Sequence, residues 1–107
     1  MAALRFLDDA GRIQTLTLDS EHFVIGRAPT CQLVLDSDMI SREHLRLDVA
    51  GDGRFRIRDL GSRNKTLVNG EQINETLLSP GDIIRAGDRV LEFLDDAVSS
   101  DQIDLDF

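Results

Sequence analysis

The feature that most constrains this chain is its rhythm: short runs of alternating apolar and polar residues, broken by Gly, Asp, Asn or Pro. Leu45, Leu47 and Val49 alternate with Arg46 and Asp48, and Phe55 and Ile57 alternate with Arg56 and Arg58. Between these runs lies Gly51-Asp52-Gly53, a turn sequence. A period of two puts every second side chain on one face of a strand, whereas a helix needs a period near 3.6, which no segment sustains. Leu4–Leu7 and Arg12–Leu18 flank Asp8-Asp9-Ala10-Gly11 as a further hairpin. Phe23-Val24-Ile25 and Leu33-Val34-Leu35 read as strands, as do Ile83-Ile84-Arg85 and Val90–Leu94 around Ala86-Gly87-Asp88. Thr66–Val68 and Glu71–Ile73 straddle Asn69-Gly70, the strongest short-range hairpin signal. About ten or eleven one-faced strands must cover one another, which predicts an all-β sandwich.

Composition agrees. The 107 residues suit one domain, and 41% of them are hydrophobic. With five Phe and neither Trp nor Tyr, the core is mostly Leu, Ile and Val. The net charge is −8, but residues 95–107 hold Asp95, Asp96, Asp101, Asp104 and Asp106 with no base. Without those five, 15 acids face 12 bases. Such a chain lacks the basic footprint of a nucleic-acid binder. Residues 1–94 form the domain in this reading, and 95–107 an acidic disordered tail or linker, as in a domain cut from a larger protein.

Cys31 is the single cysteine, so an internal disulfide and a multi-cysteine metal site are both ruled out. His22 and His44 have no supporting cysteine, and neither a metal nor a cofactor is expected. The N-terminus lacks a signal-peptide apolar run, and no stretch approaches the ~18 apolar residues of a membrane span. The expectation is a cytoplasmic, monomeric domain without membrane contact.

Three loop segments place Arg, Ser or Asn beside strand ends. They are Gly26-Arg27, Ser41-Arg42-Glu43-His44, and Gly61-Ser62-Arg63-Asn64-Lys65, the last followed by Asn69-Gly70. In this order and at these separations they resemble the forkhead-associated (FHA) domain family, over about residues 1–94. The resemblance implies an eleven-stranded antiparallel β-sandwich, of the FHA and SMAD-like type. Loops at one end would read phosphothreonine on a partner protein, downstream of a Ser/Thr kinase. Arg27 resembles the arginine that pairs with phosphate, and Ser41 the serine that hydrogen-bonds it. Arg42 follows at a position that often also touches phosphate. Asn64 resembles the asparagine that clamps the ligand main chain, with Ser62 and Arg63 on the loop that selects flanking side chains. His44 resembles a buried brace; Gly26 serves a close backbone approach and Asn69 a turn. Where the family usually has Gly after the loop asparagine, this chain has Lys65. Should that position need φ > 0, Lys adopts it at a cost of roughly 1 kcal/mol.

The chemistry fits that implication. Phosphothreonine carries about −1.5 to −2 charge and three acceptor oxygens, which call for fixed donors in a positive field. Arg offers a planar fork, Ser a hydroxyl, and Asn a donor and an acceptor together. A phosphate-independent interaction module on the same scaffold is the alternative. An enzyme is not expected, because no His stands in relation to a nucleophile and base, and no Asp pair has metal-ligand spacing.

Overall fold

The computed structural model describes residues 2–95. Among them eleven strands form two sheets: β1 (Ala2–Leu7), β2 (Ile13–Thr17), β3 (His22–Gly26), β4 (Leu33–Val34), β5 (Leu45–Val49), β6 (Phe55–Asp59), β7 (Thr66–Val68), β8 (Glu71–Ile73), β9 (Glu75–Leu77), β10 (Ile83–Ala86) and β11 (Arg89–Asp95). One sheet has the order β2-β1-β11-β10-β7-β8, the other β4-β3-β5-β6-β9. The described residues are all-β, and β11 runs through Asp95, paired with Ala2. The rest of the expected acidic tail lies outside the described residues.

The alternation read from the sequence is the packing itself. Leu45 and Leu47 of β5, Phe55 and Ile57 of β6, Ile84 of β10 and Leu91 and Phe93 of β11 all point into one buried cluster. Their partners in alternation, such as Arg46, Arg56, Arg58 and Glu92, stay on the outer faces. Burying each such side chain contributes roughly 1.5–3 kcal/mol, so the one-faced strands hold only as a pair of sheets. Phe55 and Phe93 meet across the sheets with ring centroids 5.9 Å apart and planes tilted by 60°, a favourable edge-on arrangement.

Two details depart from the sequence reading. The β3–β4 pair is parallel, whereas the other pairings are antiparallel. Strand β9 pairs with β6 through Ile57↔Thr76, although Glu75-Thr76-Leu77 carries no clear apolar face of its own. It is recruited by register with β6 and by Glu75, whose carboxylate takes a hydrogen bond from Arg58 Nε at 2.9 Å.

The turns follow their chemistry. Asn69 (φ 52°) and Gly70 (φ 85°) adopt the left-handed conformation that a two-residue hairpin requires. Asn69 also ties this hairpin to β10: its Nδ2 donates to Asp82 at 2.9 Å and its Oδ1 accepts from Ile83 N–H at 2.9 Å.

Candidate functional site

The β3–β4 loop, the β4–β5 loop and the β6–β7 loop converge at one end of the sandwich. The closest approach is made at Gly26, the last residue of β3. A Cβ there would stand 2.2 Å from the carbonyl oxygen of Arg42, so any side chain would push the β4–β5 loop away. In that contact Arg27 N–H donates to Ser41 O, and Ala28 N–H donates to Arg42 O, both at 3.0 Å. The Cys31 thiol also donates to Arg42 O, at 3.2 Å. Burial raises the Cys31 pKa, which keeps that thiol protonated as a donor.

His44 joins the second and third loops. It is fully buried, and its Nδ1 accepts from Ser41 N–H at 3.1 Å while Nε2 lies 2.8 Å from Lys65 O. With Nδ1 as acceptor, Nε2 carries the proton and donates to the Lys65 carbonyl. To present that carbonyl, Lys65 adopts φ 69°, a left-handed conformation costing an ordinary side chain roughly 1–2 kcal/mol. The turn is therefore kept despite the lysine.

Asp59 organises the β6–β7 loop from beneath. Its carboxylate accepts from Ser62 Oγ at 2.5 Å, Thr66 Oγ1 at 2.7 Å, and the backbone N–H groups of Gly61 and Ser62, each at 3.1 Å. Burial alone would raise the Asp59 pKa. The hydroxyls of Ser62 and Thr66 and the Ser62 N–H outweigh that and hold it below the ordinary value. Ser62 is therefore a correction to the sequence reading. It is only 2% exposed and spends its hydroxyl on Asp59, so it braces the loop from inside and has no free face for a ligand.

The converging loops enclose a cleft of about 170 Å³ lined by Arg27, Asp38, Met39, Ile40, Ser41, Arg42, Arg63 and Asn64. Arg27 is held by its Nε, which donates to Ile40 O at 3.1 Å, leaving the other four guanidinium N–H groups for a ligand. Ser41 Oγ accepts from Arg63 N–H at 3.0 Å, so its own hydrogen is still to be donated. Asn64 Nδ2 donates to Met39 O at 2.8 Å, and the amide keeps its carbonyl and a second N–H. Among the described residues, Arg27, Arg42, Arg63 and Lys65 have no carboxylate within 4.0 Å. Three of these cations, Arg27, Arg42 and Arg63, line the cleft with Asp38, and Lys65 follows Asn64 in the chain outside that lining, which makes a positive mouth on an acidic protein. Asn69 lies away from this cleft, in a separate depression with Glu71, Ile73 and Asp82.

Several residues of this site were not singled out from the sequence. Met39 and Ile40 contribute carbonyls that orient Asn64 and Arg27, and backbone contributions leave no residue-type signal. Gly87 (φ 59°) packs against Met39, where a Cβ would stand 2.4 Å from the carbonyl oxygen. Next to it Ser37 Oγ donates to Asp88 at 2.7 Å, so the β10–β11 turn supports the β4–β5 loop. Asp59 did have a signal: an Asp three residues before a Ser, in a turn-rich run.

A larger depression, of about 320 Å³, lies on the outer face of the six-stranded sheet among Leu7, Ile13, Ile83 and Val90. Its floor is apolar, and the arginine that lines it, Arg5, is already paired with Glu92. The smaller cleft is the one whose chemistry suits an anion.

Comparison with known proteins identifies the family. The FHA domain model matches residues 23–87. The oxoglutarate dehydrogenase inhibitor of Corynebacterium jeikeium is 40% identical over 77 residues, covering 72% of this chain and 53% of that protein. The chain thus spans about half the length of the curated relatives it matches. The FHA domain of the Chlamydia trachomatis CT664 protein superposes with a TM-score of 0.80 at 29% identity, covering 88% of this chain and 96% of that one. The FhaA FHA domain, solved in complex with the intracellular domain of Rv3910, does so with a TM-score of 0.77 at 32% identity, covering 87% and 99%. With its converging loops and its matched span from β3 to the β10–β11 turn, the chain belongs to the FHA domain family.

Proposed function

We propose that the cleft between Arg27, Ser41, Arg42 and Asn64 receives the phosphate of a phosphothreonine and the main chain beside it. As an FHA domain the chain is a phosphothreonine-binding module for phosphorylation-dependent protein–protein interaction in Ser/Thr kinase signalling. The observation that carries the site assignment is the set of unspent donors. Arg27 is anchored through one N–H only, Ser41 keeps its hydroxyl hydrogen, and Arg42 and Arg63 have no acid partner among the described residues. A dianionic phosphate with three acceptor oxygens matches that surplus.

In this reading Arg27 makes the charged fork to phosphate, and Ser41 adds a hydroxyl donor. Asn64 holds an extended peptide through its free carbonyl and N–H, and Arg63 borders the flanking residues. Each hydrogen bond to a charged group contributes roughly 1.5–3 kcal/mol, so two or three of them, less the association cost, suit micromolar affinity. The role is binding without catalysis, and the partner is a protein phosphorylated by a Ser/Thr kinase. The cytoplasm, where such kinases act, is the compartment this implies.

A titration of matched phosphothreonine and unphosphorylated peptides tests it. Binding that depends on the phosphate and is competed by inorganic phosphate is the expected result. A second reading rests on one observation: Leu7, Ile13, Ile83 and Val90 are 56%, 71%, 40% and 53% exposed on one sheet face, an apolar surface suited to a phosphate-independent partner. Partner capture that survives phosphatase treatment and is lost on Ile13→Asp would favour that reading over the cleft.

A further inference from the structure

The phosphate does not account for the whole positive mouth. A charge of about −1.5 to −2 is met by Arg27 and Arg42 together with the Ser41 hydroxyl. Arg63 and Lys65 remain, one on each side of Asn64, both exposed and both without a carboxylate within 4.0 Å among the described residues. Of the eight arginines elsewhere, five are held by carboxylates. Arg5, Arg46, Arg56, Arg58 and Arg89 are in ion pairs, and Arg54 and Arg85 donate to carbonyls.

Lys65 carries a second mark. Its backbone sits at φ 69° so that its carbonyl meets His44 Nε2. Any residue supplies a carbonyl, and glycine would supply it without strain. The lysine side chain makes no hydrogen bond or ion pair within the described residues, so inside the domain only the backbone contact with His44 offsets the strain. A disfavoured conformation retained beside a binding cleft, with a free cation attached, places the use of that side chain outside the domain.

We infer that Lys65 is a specificity-determining residue. It selects phosphothreonine segments that bear a further acid, whether Asp, Glu or a second phosphorylated side chain, on the flank that crosses the Asn64–Lys65 loop. This rests on the phosphothreonine reading and narrows its ligand class. An exposed cation acts mainly on encounter and discrimination, and salt weakens it.

The test is a set of phosphothreonine peptides with neutral flanks, with acids on the N-terminal side, or with acids on the C-terminal side, each beside its unphosphorylated form. The wild type is expected to bind one acidic-flank peptide about two- to fivefold more tightly than the neutral one at low ionic strength, with the gain shrinking in 0.5 M salt. Lys65→Asn keeps access to the left-handed conformation while removing the charge; it should lose the gain, lowering acidic-flank affinity by more than it lowers neutral-peptide affinity. Lys65→Arg should retain the gain, and Lys65→Glu should turn it into a penalty. Equal affinity of the wild type for all three phosphopeptides overturns the inference, as does a gain that survives Lys65→Asn, including one lost only on Arg63→Gln. Equal binding of phosphorylated and unphosphorylated peptides instead overturns the phosphothreonine reading, and this inference with it.

Discussion

Two groups of arginines on this domain meet opposite fates. On the outer face of the β5–β6–β9 ladder, Arg46 Nε and Arg56 Nε lie 3.3 and 3.2 Å from the carboxylate of Asp48, which is only 6% exposed between them. Arg58 is 2.9 Å from Glu75. At the loop end, Arg27, Arg42 and Arg63 have no such partner among the described residues. The residue type is the same and the setting differs. On a strand, a fixed register brings acids within reach of bases: Asp48 stands opposite Arg56 and Glu75 opposite Arg58, and Arg46, which faces Arg58, reaches Asp48 two positions along its own strand. In the loops the backbone hydrogen bonds are spent on holding three segments together, and the side chains are left for something else. Paired arginines serve the fold, and in the proposed function the free ones serve a ligand.

That contrast can be broken by experiment, most sharply at Arg27. Arg27→Ala should lower phosphothreonine-peptide affinity by roughly 2–4 kcal/mol, about 30- to 1000-fold, because a charged partner of the phosphate is removed. Stability should fall by no more than about 1 kcal/mol, the worth of its single bond to Ile40 O. Isothermal titration and denaturant unfolding, run side by side, check both halves. Loss of fold without selective loss of binding would place Arg27 with the paired arginines.

Asp59 comes next, since it governs the loop that carries the free cations. Asp59→Ala leaves the buried Ser62 and Thr66 hydroxyls without their acceptor, which should cost roughly 1–3 kcal/mol of stability. The pH dependence has a definite sign. The folded-state pKa of Asp59 lies below its ordinary value of 3.8. Its contribution is therefore complete above the unfolded value and fades as pH falls through the lower folded one. Urea midpoints followed from pH 6 downward should drop less steeply in Asp59→Asn than in the wild type.

Lys65→Gly should stabilise the domain by about 0.5–1 kcal/mol, the left-handed cost relieved less the extra unfolded-state freedom of glycine. A thermal midpoint that falls instead would mean the lysine side chain supports the fold. The smallest effect belongs to the paired set. Arg56→Ala should cost about 0.2–1 kcal/mol of stability and leave peptide affinity unchanged, because Asp48 keeps Arg46 and the ladder lies on another face. A matching loss of affinity there would erase the division between the two groups.

Most of the fold was legible in the chain. The inward faces of β5, β6, β10 and β11 were written in their alternation, and the β7–β8 hairpin in Asn69-Gly70. The parallel β3–β4 pair and strand β9 were not, because two or three residues carry too little pattern and take their state from the neighbour they pair with. Arg27, Ser41, Arg42, Arg63 and Asn64 were singled out through the resemblance of three loop segments to the FHA family, and they line one cleft. Ser62 was misread: a serine in a polar loop gives no sign of which way it turns.

By itself, then, the sequence determined that the chain is a β-sandwich with basic and amide side chains in three loops, since period-two alternation and turn chemistry are local properties. Tertiary structure alone decided which of those side chains are spent and which are free. Arg27 on Ile40 O, Asn64 on Met39 O and Arg63 N–H on Ser41 Oγ join residues 13, 25 and 22 positions apart, and Asp59 draws Ser62 inward. Those contacts depend on how two sheets bring distant loops together, and a local pattern holds no record of that.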